Sequence, residues 1–169
     1  MADGKWFDGR WFQRTRILPP SRATSNNCGH SPDGAIRDCS FKMESRIIAE
    51  RAFRFACRTV KLCERLWSQG PAARKIADQL FKCGTSIGAN TAESQRGQTK
   101  PDFVAKLAIA RKESWETIYW LEVAITTSVT TKDEVAWELD EAQQLRAMIT
   151  AAIKTGQSSN WRGAPDHQP

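Results

Sequence analysis

The residues with the clearest chemical potential form a row of positive charge in the first half of the chain. Five basic residues follow one another at intervals of three, four, three and four: Arg51, Arg54, Arg58, Lys61 and Arg65. On an α-helix this spacing places all five on one line, and such lines of cations bind nucleic-acid phosphates. Three cations of the next segment extend this basic row: Arg74, Lys75 and Lys82. We expect binding that depends steeply on salt and weakly on sequence.

A structural role for the basic row stays open. Residues 43–100 carry eleven basic and five acidic residues, whereas residues 101–157 carry six basic and nine acidic ones. Some arginines of the row are therefore candidates to pair with the acidic fourth helix of a neighbouring copy, and others to face solvent. The row contains no aromatic residue, so base stacking is not expected there.

Small residues are concentrated in the stretch from position 84 to 92, where Gly84, Gly88, Ala89 and Ala92 leave Ile87 as the only large apolar side chain. A glycine inside a helix costs about 1 kcal/mol relative to alanine, so a close helix–helix approach at Gly88 and Ala92 is the expected compensation. Asn90 and Glu93 lie in the same stretch. A ligand site is one interpretation of them, and hydrogen bonding to the neighbouring turn or to the end of a facing helix is the favoured one.

Catalytic and metal-binding patterns are absent from the sequence. Cys28, His30 and Cys39 fit no common zinc spacing, and the other histidine, His167, lies near the C-terminus. A nucleophile in the central region would therefore lack a histidine base. We expect no catalytic residue, no metal and no cofactor, and hence no enzyme.

The central region shows helical periodicity in four segments, at about residues 44–68, 71–94, 99–126 and 131–154. Short turns separate them, and residues 99 and 131 each begin a capping-box pattern. The pattern predicts an all-α fold, an antiparallel up-and-down four-helix bundle over residues 43–157. Residues 1–42 are rich in helix breakers and are expected to be an irregular or disordered extension, either native or upstream of a true start at Met43. Residues 158–169 are expected to form a flexible tail.

The third helix carries more apolar surface than one bundle seam requires. Its segment "IYWLEVAI", Ile118 to Ile125, is apolar on all sides except at Glu122. A helix of this kind buries two faces, and a second copy of the chain is the expected partner for the outer one. Candidate outer residues are Trp115, Ile118 and Val123. The alternative is that the irregular tails cover this face.

Composition limits the cellular setting. The odd number of cysteines, five, at irregular spacing argues against a disulfide framework and for a reducing compartment. No apolar run is long enough to span a membrane, and no secretory signal is evident. A cytoplasmic protein without membrane contact is expected.

The segment from Ser86 to Ala124 resembles the four-helix-bundle proteins encoded in intervening sequences of bacterial 23S rRNA genes. The matching residues are Ser86-Ile87, Asn90, Ala92, Glu93, Gly97, Asp102-Phe103, Lys112-Glu113, Glu116-Thr117 and Tyr119-Trp120-Leu121. Ser94 departs from the family pattern, which usually has glycine. The resemblance implies a ring-like homopentamer without catalytic activity. It also implies similarity to the accessory variability determinant of diversity-generating retroelements, which binds nucleic acid and a reverse transcriptase.

Two functions follow as hypotheses. The first is a non-enzymatic homo-oligomeric scaffold that binds RNA or other nucleic acid through its basic face. The second is a protein-interaction accessory module, for example the partner of a reverse transcriptase in a diversity-generating retroelement.

Overall fold

A computed structural model describes residues 32–97 and 99–158, with side chains from Met43 onward. Four helices make up most of this region: α1 Pro32–Trp67, α2 Pro71–Ser94, α3 Lys100–Thr126 and α4 Ala136–Gln157. A single 3₁₀ turn, Asp133–Val135, precedes α4. No strand occurs in the described ranges, so the predicted all-α class is confirmed.

Successive helices lie side by side, and α4 returns to pack against α1. The α1–α2 and α2–α3 connections are short turns, and the α3–α4 connection takes residues 127–135, so neighbouring helices run antiparallel. The result is the predicted up-and-down four-helix bundle, with its apolar interior shared by all four helices.

The first helix begins at Pro32, twelve residues before the predicted start at residue 44. The prediction that residues 1–42 are irregular is therefore wrong for residues 32–42. Residues 1–31 and 159–169 lie outside the described residues, where the predicted extension and tail stay predictions. Gly34 and Ser40 made this stretch look broken, but each lowers helix propensity by only about 1 kcal/mol or less. Extension of an established helix is much easier than its nucleation.

Thr99 forms the predicted helix cap, and the reciprocal bonds of a capping box form between Thr131 and Glu134. Thr99 caps α3 by accepting a hydrogen bond from the backbone N–H of Asp102 at 3.3 Å. At the second site the Glu134 carboxylate accepts from Thr131 N at 2.9 Å, and Thr131 Oγ1 accepts from Glu134 N at 3.4 Å. The chain then makes the 3₁₀ turn, so α4 starts five residues after Thr131. The backbone N–H of Thr131 lowers the pKa of Glu134.

Helices α1 and α2 pack closely where α2 carries its glycines. A Cβ at Gly88 would lie 3.1 Å from Ala56 Cβ and 3.2 Å from the carbonyl oxygen of Ala52, and one at Gly84 would lie 2.6 Å from Thr59 Cγ2. The close approach predicted for Gly88 is thus confirmed, against α1. The prediction for Ala92 is wrong, because that residue faces solvent.

The polar residues of this stretch have structural partners. Asn90 Nδ2 donates to the carbonyl oxygen of Ser86 at 2.9 Å, one turn earlier in α2. The exposed Glu93 carboxylate pairs with Lys106 Nζ of α3 at 2.5 Å. The Asn90 contact confirms the interpretation as a bond to the neighbouring turn, whereas Glu93 pairs with a side chain within α3 and not with a helix end.

The outer face of α3 differs from the prediction. Ile118 is buried in the core, and Val123 is half-buried against it, so neither is an outer residue. Trp115 is exposed as predicted, and Tyr119 lies one turn further along with 58% of its surface exposed. Among the described residues no helix is both long and apolar enough to cross a membrane.

Candidate nucleic-acid interface

Arg51, the first residue of the basic row, faces α4 of its own chain. Its Nε donates to Glu141 Oε1 at 2.8 Å, and its Nη2 donates to Glu141 Oε2 at 2.6 Å. The same Nη2 reaches Gln144 Oε1 at 2.7 Å. Hydrogen bonds to the Glu141 carboxylate raise the pKa of Arg51. With only 22% of the arginine side chain and 11% of the glutamate side chain exposed, this charge is neutralised within the bundle.

Arg58 is also committed to α4. Its Nε and Nη2 both lie 3.0 Å from Glu138 Oε1, and its guanidinium lies 4.2 Å from the ring centroid of Trp137. Trp137 in turn stacks on the buried Phe55. The other carboxylate oxygen of Glu138 is buried without a hydrogen-bond partner in the described part of the chain. Replacing Arg58 would leave this carboxylate buried and unpaired, so Arg58 has a structural role.

The expected pairing of the basic row with an acidic fourth helix therefore occurs, but within one chain. The acidic partners sit on α4 of the same molecule, not of a neighbour. Arg58 keeps 53% of its side chain exposed despite this pairing, and Arg54, Lys61 and Arg65 are exposed on the same helix. The usable row on α1 is thus shorter than the sequence predicts.

The cations of α2 are exposed but differ in their surroundings. Arg74 Nε donates to the carbonyl oxygen of Trp67 at 3.0 Å, satisfying one of the free carbonyls at the end of α1. Arg74 and Lys75 line a shallow groove together with Glu64 and Asp78, which balance their charge. Lys82 lies further along α2, and it partly offsets the rise that burial causes in the pKa of Glu113.

A second basic surface lies between α3 and α4, and the sequence analysis missed it. This α3–α4 groove has a volume of about 750 Å³. Its walls hold one aromatic and four basic residues: Trp115, Arg111, Lys112, Arg146 and Lys154. No acidic residue is among the lining residues that the structure describes. It is therefore more uniformly positive than the surface of α1 and α2.

The lining side chains of the groove are spread along the two antiparallel helices. Arg146 lies over the ring of Trp115, with its guanidinium carbon 3.8 Å from the centroid. At the other end, a Cβ at Gly156 would lie 3.1 Å from Val104, which brings Lys154 opposite the first turns of α3. The charge summed along the sequence could not reveal this surface, because acidic residues outnumber basic ones over residues 101–157 as a whole.

The expectation that the protein has no metal site and no catalytic residue stays a prediction. Within residues 43–97 and 99–158 no three His, Cys, Asp or Glu side chains are grouped to hold a metal ion. Cys28, His30 and His167 lie outside the described residues, and Cys39 lies on α1 before the described side chains begin. Cys63 and Cys83 are buried in the bundle, and burial raises their pKa to about 12 and about 11. Neither has the character of an activated thiol.

The fold and its surface define an all-α four-helix bundle with basic exposed faces. The chain belongs to the family described as 23S rRNA-intervening sequence protein, whose profile matches residues 44–151. It is also similar to a protein of unknown function from the S23 ribosomal protein family of Bacteroides thetaiotaomicron, known from a crystal structure. The two are 31% identical over 66% of this chain and 98% of the other, with a TM-score of 0.61. A comparison with curated proteins gave no match.

Proposed function

We propose that this protein is a non-enzymatic homo-oligomeric scaffold that binds RNA or other nucleic acid through its basic surface. The observation that carries the proposal is that Arg54, Lys61 and Arg65 are exposed on one line of α1, where Arg58 is also half exposed while it pairs with Glu138. Lys75 and Lys82 of α2 add to the same half of the bundle, and the net charge of the chain is +6. RNA is the first ligand to test, because the family description names an intervening sequence of 23S rRNA.

Binding of this kind is electrostatic. Each phosphate contact by a lysine or arginine releases a condensed counterion. For a duplex, the slope of the logarithm of the binding constant against the logarithm of the salt concentration is therefore about −0.9 for each contact. Exposed cations on a helix face contact the backbone and do not read base edges. The α1 surface should therefore treat RNA and DNA duplexes of different sequence alike.

Exposed apolar side chains support the homo-oligomeric part of the proposal. Large apolar side chains are exposed on all four helices, among them Phe53, Phe81, Ile109 and Trp137. Contact with further copies of the chain would cover such side chains, and the family resemblance implies a pentamer. A ring of copies would repeat the basic surface, and multivalency can raise apparent affinity by about 10² or more.

The test is fluorescence anisotropy of labelled RNA and DNA duplexes with the full chain at several salt concentrations. Arg54→Gln combined with Arg65→Gln should weaken binding to every duplex. It should also make the slope of the logarithm of the binding constant against the logarithm of the salt concentration less steep by up to about 1.8. A matched control removes two charges from turns elsewhere, Arg96→Gln with Lys132→Gln, and should change little. Absence of wild-type binding at low salt, or equal effects of the two double variants, would contradict the proposal. Arg58 is left intact because Glu138 depends on it.

A protein-interaction module is the second candidate, because the exposed apolar side chains would serve a protein partner equally well. A reverse transcriptase encoded beside this protein, in a diversity-generating retroelement, is the partner that the resemblance suggests. Co-purification of such a reverse transcriptase with a chain that binds no nucleic acid at low salt would favour this function over the first.

A further inference from the structure

We propose that the α3–α4 groove is a binding site for single-stranded nucleic acid, in which Trp115 stacks a base while Arg111, Lys112 and Lys154 hold backbone phosphates. This inference rests on the proposed function and names a separate surface and the class of strand that it accepts.

The first argument is the availability of the charges. Unlike Arg51 and Arg58, the cations Arg111, Lys112 and Lys154 form no ion pair with any residue that the structure describes. A phosphate can therefore bind them without breaking an intramolecular bond. Because no described residue of the lining is acidic, a phosphate entering the groove meets no like charge on its walls.

The second argument is the aromatic residue among these cations. Trp115 is 58% exposed, although Arg146 already lies over its ring at 3.8 Å. The cation–π contact restrains both side chains before a ligand arrives, which lowers the entropy lost on binding. Unpaired bases stack on aromatic rings and on guanidinium planes, and the Trp115–Arg146 pair presents both.

The third argument selects a single strand over a duplex. Small side chains, Ala108, Ala147, Thr150 and Ala151, line the groove between its cations and leave room for a base to enter. In a duplex the faces of the bases are stacked on one another and cannot reach Trp115. A positive groove with an aromatic platform is the arrangement that single-strand binders use.

The experiment compares two labelled 12-nucleotide strands, an oligodeoxythymidine and a fully abasic strand with the same phosphates, by anisotropy with the full chain. Trp115→Ala should weaken binding of the thymidine strand by roughly 5- to 100-fold and leave the abasic strand unchanged, since only a base can stack. The matched control is Tyr119→Ala, an equally exposed aromatic residue one turn away and outside the lining of the groove. It should change neither strand.

A second variant tests the phosphate contacts. Arg111→Gln with Lys154→Gln should weaken the binding of both strands. The slope of the logarithm of the binding constant against the logarithm of the salt concentration should become less steep by about 1.4, which is about 0.7 for each single-strand contact. Circular dichroism and light scattering of each variant should match wild type, because these side chains lie outside the core.

Three results would overturn the inference. The first is that Trp115→Ala binds the thymidine strand as well as wild type does. The second is that this variant loses the same affinity for both strands. The third is that its oligomer mass falls, which would place Trp115 between copies of the chain. If one of these three results occurs while duplex binding still responds to Arg54→Gln with Arg65→Gln, the groove inference has failed and the proposed function stands. If wild type binds neither duplex nor strand at low salt, both fail.

Discussion

Arg51 and Glu141 join α1 to α4 through two parallel hydrogen bonds between a guanidinium and a carboxylate, at 2.8 and 2.6 Å. The two residues are 90 positions apart in the sequence. Their pairing closes the bundle between its first and last helices, and it withdraws the first cation of the basic row from any outside ligand.

Arg51→Gln should lower the free energy of unfolding by about 2–4 kcal/mol, because it leaves the Glu141 carboxylate buried without its partner. Arg54→Gln is the matched control, since Arg54 is exposed on the same helix, and it should change stability by no more than about 0.5 kcal/mol. Urea denaturation measures both. Arg51→Met with Glu141→Leu should recover much of the loss, since no charge is then left buried. Equal stability of Arg51→Gln and Arg54→Gln would show that the pair contributes nothing.

Gly88→Leu should destabilise the bundle by about 1–3 kcal/mol or more, because the new side chain would overlap Ala56 and the backbone of Ala52. Ala92→Leu adds similar volume one turn later in α2, where the residue faces solvent, and should be nearly neutral. Thermal melting followed by circular dichroism compares the two. A Gly88→Leu protein that melts with wild type would mean that α1 and α2 do not approach closely here.

Cys63 and Cys83 should resist alkylation by iodoacetamide at pH 8 in the native protein, because both are buried and their pKa values are raised to about 12 and about 11. Cys57 is half-buried and should react first among these three. Mass spectrometry of peptides reports each site, with protein in denaturant as the control in which all three react. Rapid native labelling of Cys63 would contradict its burial.

The same thiols predict a loss of stability at alkaline pH. Their pKa is raised in the folded state from a usual value of 9.0, so the unfolded chain releases these protons first. Stability should therefore fall as pH rises from about 9 towards 11. Cys63→Ala with Cys83→Ala should flatten this part of the pH profile, measured as the urea midpoint. An unchanged slope in that double variant would assign the alkaline loss to other groups.

The full chain should scatter light as an oligomer, with a mass of about five times 19.0 kDa if the family resemblance holds. The melting temperature should rise with protein concentration, since assembly stabilises the folded chains. A 19.0 kDa species at micromolar concentration would leave the exposed apolar side chains of the bundle without the proposed partner.

The sequence by itself determined the helices and where two of them come close. Periodicity of apolar residues is a local property, so the four helices and the turns between α1, α2 and α3 could be predicted. Gly88 signalled its close contact because a glycine inside a helix needs a compensating reason. The predicted start of α1 was too late, because the helix-breaking residues before it were read as the end of helical structure. Continuation of a helix depends on the residues that follow as well as on local propensity.

Only the tertiary structure decided what the charges do. The spacing of the basic row showed that its residues share one line of α1, but helical periodicity does not say which neighbour that line meets. The bundle turned Arg51 and Arg58 towards the glutamates of α4 and left Arg54 exposed. It also brought Trp115 and Arg146 together from a half of the chain, residues 101–157, whose net charge is negative. Electrostatic interactions act over a few ångströms in space, and distance along the chain says little about them.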